Sequence, residues 1–439
     1  MVLDCRGLEF TAAGDDAMAA FDHVIEGYLG LAADTGERLK SVFEHDPDMP
    51  MAHVLKGYFF MLMASAPLKQ RAVKIAATAG EAAKGGSQRE RLHAAALQAW
   101  TQGAHGAAVR LWEQILRADP TDVLALRLTH HGYFYKGDSQ NVRDTVARCL
   151  HAWNDEVPGY GFVMGMRAFG LEETHAYELA IEAGEMAVAI NPNDPWAIHA
   201  VAHVYEMTDK PAEGINWLTD NEPGWTGCNN FRYHVWWHRA LMRLDRGEYD
   251  EALSLYDNDL WDPTSDEYLD LLNDAALLQR FELHGIDVGE RWQVVAEKCK
   301  IRTNDQILTF ADVHFALALA AAGAPETKEL LDNMRAHTDD RVADNAVVTA
   351  EIGLPLAEAL IAYRRADFAA AVDRLEPIRY RVHSMGGSHA QRDLFAMVLL
   401  DAAIRAERTD LARSLAAERL CRMPGNAWAN RAYERTFAG

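Results

Sequence analysis

The sequence predicts an all-α fold, an α/α superhelix of stacked helical hairpins, and three observations predict it. Apolar residues recur at spacings of three and four almost throughout, the period of one helix face, and alternating β-branched runs are nearly absent. Proline is scarce, 14 in 439 residues, and alanine, the strongest helix former, is abundant. Repetition is also visible. Asp46-Pro47, Asp119-Pro120 and Asn191-Pro192 each precede a new helix, and five residues after each proline stands an alanine, Ala52, Ala125 and Ala197. The prolines are 73 and 72 residues apart, and each ends one helix and sets up the next hairpin.

Taken in chain order, residues 1–35 are expected to form N-terminal capping helices. Leu124 to Leu150 reads as a hairpin with Gly137 at its turn. Pro192 closes one repeat and precedes the helix of NPNDPWAIHAVAHVYEM, Asn191 to Met207. The clearest hairpin is HVWWHRALMRLDRGEYDEALSLYD, His234 to Asp257. Small Ala240 lets two helices approach, Gly247 makes the turn, and Tyr249, Ala252 and Tyr256 pack the second helix. Leu356 to Pro377 is a weaker copy with Phe368 and Ala371 in the packing places, and residues 393–439 close the array as C-terminal capping helices. GEAAKGGSQRE near 80–90 and DNEPGWTGCNN near 220–230 read as loops. No Ser/Gly-rich linker divides the chain, so residues 1–439 read as one continuous solenoid.

The formal charge of −22 argues against nucleic acid or an anionic membrane as main partner. The apolar fraction of 49% suffices for a large core. The five cysteines, Cys5, Cys149, Cys228, Cys299 and Cys421, are odd in number and widely spaced, which favours free thiols in a reducing compartment. The segment MVLDCRGLEF has no basic region followed by an apolar run, so no secretory signal is expected. No uncharged apolar stretch is long enough to span a bilayer. The expected location is the cytoplasm.

His199, His203 and Glu206 stand at spacings of four and three. On a helix they fall within about 60° of one another. A second pair, His234 and His238, has the same spacing of four. With 18 histidines in 439 residues, about 0.7 such pairs arise by chance, so spacing alone does not separate a site from histidines satisfied in the core. Two histidines and a carboxylate can hold one metal, with a water in the fourth position. The pattern is not His-Glu-x-x-His, so the cofactor stays open, and any metal falls on His199, His203 and Glu206. A histidine oriented by Glu206 or Asp312 is instead a candidate general base.

Other candidates have a plainer reading beside the functional one. Cys228 is a nucleophile if a histidine approaches it, and otherwise a buried thiol. In GGSHAQRD, Gly386 to Asp393, Ser388 and Gln391 form a capping box, and Arg392 stands ready for a carboxylate or phosphate. Asp312 and His314 open an alanine-rich helix, where Asp312 also suits the N-terminal dipole. Trp196, Trp217, Trp225, Trp236 and Trp237 crowd one third of the chain. Core packing is their default, and their density beside the histidines also fits a lined pocket.

The hairpins resemble tetratricopeptide repeats, whose first helices line a concave face. In that register His199, His203 and Glu206 face the groove, while Ile198, Ala202 and Tyr205 pack. The same register puts Arg127 and His131 in the groove, with His234 inward and His238 less clearly so. Taken together, WAIHAVAHVYEM, HVWWHRAL with GEYDEAL, DVGERW, NDQIL with FADVHF, GLPLAEAL and GGSHAQRD resemble the tetratricopeptide repeat protein 38 family. The resemblance covers most of the chain and is weaker in the N-terminal third. It implies one α/α superhelical domain and sets His199, His203, Glu206, His234, His238, Asp312, His314, Gln391, Arg392 and Asp393 at family motif positions. His389 stands where other members carry different residues, and no activity carries over.

Two functions remain. One is a small-molecule pocket in the groove, worked by His199, His203, Glu206, His234, His238, Asp312 and His314 in a hydrolase-type reaction, with His131, Trp237, Gln391, Arg392 and Asp393 binding ligand. The other is a non-catalytic scaffold that takes a peptide or protein partner in the groove. A homo-oligomer is compatible with either.

Overall fold

The computed structural model describes residues 1–437. The described residues are helical throughout except for turns, loops and a short antiparallel ladder that pairs Val2–Leu3 with Glu9–Phe10. That ladder lies where capping helices were expected. Asp4 Oδ1 accepts hydrogen bonds from the backbone N–H groups of Arg6 and Leu8, and Gly7 takes a φ of 79°. The carboxylate and the glycine close a hairpin there, and the first helix begins only at Asp15.

The chain divides into two compact units. The first comprises residues 1–201, 221–232 and 342–344; the second comprises 202–220, 233–341 and 345–439. In the first unit, successive helices pack as antiparallel pairs, among them Asp15–Leu29 with Thr35–His45 and Tyr160–Glu172 with Tyr177–Ile190. The repeated proline motifs fall between helices, as at Ala118 and the start of Val123–Tyr135 (α1). The next such motif precedes Pro195–Met207 (α2), whose first turn is capped by Asp194 Oδ1 accepting from the N–H groups of Trp196 and Ala197. The boundary between the units falls inside α2.

Phe231–Asp245 (α3) also starts in the first unit and runs into the second. Its hairpin partner is Tyr249–Leu255 (α4), and the turn glycine Gly247 has a φ of 76°, a left-handed conformation that favours glycine. Ala240 and Ala252 are fully buried and Tyr256 nearly so. Tyr268–Leu283 (α5) packs against Thr309–Ala321 (α6) and His389–Arg405 (α7), and α7 packs against Thr409–Arg422 (α8). Trp237, Phe281, Phe315 and Phe395 centre this core. One segment, Asn345–Arg364, is as long and apolar as a membrane span. Within the unit its second half packs against α6, which accounts for its apolarity.

The loops differ in detail from the sequence expectation. Ala66–Ala82 extends helix into the stretch near 80–90, and a new helix starts at Gln88 with a Ser87/Glu90 capping box. The stretch near 220–230 contains a short 3-10 turn, Glu222–Gly224, and Cys228 bridges to Ala32 in the first unit.

Candidate functional site

The second unit gathers a chain of buried polar side chains. His234 and His238 lie one turn apart on α3, so both imidazoles leave the same face. His234 Nδ1 lies 2.9 Å from Asn273 Oδ1 on α5. The amide oxygen only accepts, so His234 donates through Nδ1 and its Nε2 is the acceptor. His238 Nε2 lies 3.3 Å from that Nε2, and His238 Nδ1 lies 2.6 Å from Glu206 Oε2 at the end of α2. Without a cation between the rings, the proton of the first contact belongs to His238 Nε2. The next proton is then shared between Glu206 and His238. The His203 ring lies 4.3 Å from the His238 ring, centroid to centroid, and Trp237 stacks on His234 at 5.4 Å.

All of these groups are buried, and burial sets their protonation. It holds the Glu206 carboxyl well above its usual range, helped by Asp245 and opposed by Arg280. It lowers His234 to about 4 against the Asn273 bond, and it holds His203 well below the ordinary imidazole value. Neutral imidazoles at His203 and His234 and a protonated or proton-sharing Glu206 carboxyl are therefore the resting forms.

Beside Glu206 lies a cleft of about 30 Å³ walled by Asp245, Arg280, Asp393 and Arg419. Arg419 forks onto both oxygens of Asp393 at 2.5 and 2.8 Å. Arg280 donates to the Ala390 carbonyl at 2.7 Å and lies over the Trp237 ring. Burial raises Asp245 to about 6. The volume holds about one water.

Several of the remaining predicted residues are engaged locally. His199 shares α2 with His203 but sits among aromatic rings of the first unit, 5.0 Å from Phe231 and 5.4 Å from Trp196. Glu206 is engaged by His238. His131 lies in the first unit, 5.7 Å from Trp196, beside a buried Arg127 whose guanidinium covers Trp196 at 4.2 Å. His314 is packed between Phe310 and Phe395 and bonds its Nδ1 to the Phe310 carbonyl at 2.8 Å. Asp312 is buried near Asp305 and Arg302, and the carboxylate that orients a site histidine is Glu206. Gln391 completes the capping box with Ser388. Arg392 donates to the Gly387 carbonyl and contacts His389 at 3.2 Å. Asp393 reaches the cleft, and Trp237 forms a wall of the histidine cluster. The five cysteines are free, and burial pushes the Cys228 thiol up to about 12, the wrong direction for a nucleophile.

Asn273, Asp245, Arg280 and Arg419 escaped the sequence reading. Asn273 had one available signal: with Asp274 it interrupts the apolar run of DLLNDAALL, and both are buried.

No known family profile matches the chain. Among solved structures it is similar to the human IFIT1 dimer with m7Gppp-AAAA, at 14% identity and a TM-score of 0.43, over 98% of this chain and 96% of that one. Yeast Tom70 is similar at 14% identity and a TM-score of 0.33, over 96% of each chain. Naa15/Naa10 bound to HypK-THB is similar at 11% identity and 0.28, over 91% of this chain and 62% of that one.

Proposed function

We propose that this helical-repeat protein binds and transforms a small polar molecule at the Glu206–His238–His234 chain of its second unit, by histidine- and carboxyl-assisted proton transfer of the hydrolase type. The supporting observation is the 2.6 Å bond between Glu206 and His238 at the edge of a cleft that presents both signs of charge. A proton held between a buried carboxyl and an imidazole is available to a substrate atom that reaches it. Arg280 and Asp245 are suited to fix the charged ends of such a molecule.

A substrate-sized ligand needs roughly 300 Å³ or more, and the cleft as it stands holds about 30 Å³. Met207, Met397 and Met423 line it, and unbranched thioether side chains can swing to widen it. The motif set from Asp194 to Asp393 supports membership of the tetratricopeptide repeat protein 38 family. Its hairpins also support the second reading, a non-catalytic scaffold for a peptide or protein.

The test is mass spectrometry of small molecules released from the denatured pure protein, with thermal shift and turnover on a panel of small esters, amides and phosphoesters. A ligand or substrate should act on the wild type and fail on Glu206→Gln and Arg280→Met. If nothing in the panel depends on either residue, the small-molecule reading falls and the scaffold reading gains.

A further inference from the structure

We infer that His203, His234 and His238 form a transition-metal site, most suited to zinc. The inference deepens the reading of the same cluster given above and rests on it for the site's location. One ring nitrogen from each of these three histidines lies within 4.8 Å of the other two, and all three side chains are buried. A tetrahedral centre with zinc–nitrogen bonds of about 2.0–2.1 Å has edges of about 3.3 Å. His234 Nε2 and His238 Nε2 are 3.3 Å apart, so that edge is already set.

The groups behind the two rings supply the second argument. A ligating histidine almost always donates its other N–H to a carboxylate or a carbonyl oxygen, which fixes the tautomer and aims the lone pair. His234 Nδ1 donates to the amide oxygen of Asn273 at 2.9 Å, and His238 Nδ1 is bonded to the Glu206 carboxyl at 2.6 Å. With a metal between the rings, the Glu206 proton moves to His238 Nδ1, the proton on His238 Nε2 leaves to solvent, and both Nε2 lone pairs face the ion. Glu206 is then a carboxylate and offsets one of the two charges that the ion brings into the core. Three neutral imidazoles suit zinc, copper, iron or nickel and not magnesium or calcium. The same geometry leaves a fourth position. A water completes the centre.

The experiment uses the full chain, stripped with chelator, reloaded with excess zinc or cobalt(II), and desalted. We expect about one metal per chain by elemental analysis, and the intense visible bands of tetrahedral cobalt. His234→Ala and His238→Ala should fall to background, while Cys228→Ala should keep the wild-type metal content. Because a histidine variant can fail to fold, Asn273→Ala is the second test. It leaves the three ligands in place and should weaken zinc roughly 10–100-fold in chelator competition. A folded wild type that retains no metal, or a His238→Ala protein that retains as much as wild type, overturns the site. Metal binding without any small-molecule ligand would keep this site and sink the catalytic reading. A small-molecule ligand acting on a wild type that retains no metal after reloading would do the reverse.

Discussion

Glu206 and His238 stand 32 residues apart in the chain and 2.6 Å apart in space, carboxyl oxygen to Nδ1. The bond ties the last turn of α2 to the middle of α3, and both side chains are buried. Its loss leaves a buried ring nitrogen without that partner. We expect Glu206→Leu to destabilise the protein by about 1–3 kcal/mol. Glu206→Gln should lose far less, because its amide N–H can donate to the same Nδ1. Chemical unfolding of the two variants decides it; equal midpoints would mean that the bond contributes nothing to the fold.

Asp122 predicts an acid limb. Its Oδ2 accepts from Arg89 at 2.8 Å and lies 3.1 Å from His93 Nε2, while Oδ1 accepts from the Ala125 N–H at 2.8 Å. Burial opposes ionisation, but His93 and then Arg89 outweigh it and hold the carboxyl below its usual range. A depressed folded value contributes stability that is present above the unfolded value, about 3.9, and is lost as pH falls toward the folded one. Asp122→Asn should therefore destabilise by about 3–5 kcal/mol at pH 7, since the buried Arg89 charge loses its partner. The gap from wild type should narrow by about pH 3. Urea midpoints at the two pH values measure it, and a pH-independent gap would refute the assignment.

The hairpins were legible because their signals are local. A proline between helices, an alanine at the crossing and Gly247 at a turn act within a few residues of themselves. The site was legible only as far as single helices reach. His234 with His238, and His203 with Glu206, follow from spacings of four and three. That Glu206 serves His238, and that Asn273 holds His234, depends on which helices meet, and no spacing within one helix reports this. His314 and Gln391 show the converse. Each sits in a suggestive motif, yet the Phe310 carbonyl and the Ser388 cap engage them locally. The N-terminal ladder was missed because its cause is a side chain, Asp4, that satisfies the backbone of its own turn.

Asp245 predicts an opposite pH dependence. Burial raises its carboxyl to about 6, with Asp393 adding and Arg419, Asn426 and Arg280 opposing. A raised folded value contributes stability that is present below the unfolded value, about 3.9, and is lost as pH rises through about 6. Asp245→Asn removes the cost of ionising this buried group and keeps an oxygen that accepts from Asn426, a bond of 2.9 Å in the wild type. We expect the variant to exceed wild type by about 1 kcal/mol at pH 8 and to match it near pH 4. A variant less stable than wild type at pH 8 would show that the ionised carboxylate stabilises the cleft.

Two glycines of the first unit separate packing from propensity. A Cβ on Gly170 would lie 2.6 Å from the Arg143 Cα and 2.9 Å from its backbone nitrogen. The helix Tyr160–Glu172 meets Ser139–Cys149 there, backbone against backbone. Gly170→Ala must push the two helices apart, at a cost of about 1–3 kcal/mol. Gly80 lies near the end of Ala66–Ala82, and a Cβ there meets nothing within 4 Å. Gly80→Ala should stabilise by about 0.5–1 kcal/mol, because alanine loses less backbone entropy in a helix. Unfolding midpoints of opposite sign for the two variants would establish that Gly170 is kept for the helix crossing. A neutral Gly170→Ala would mean that the hairpins there slide freely.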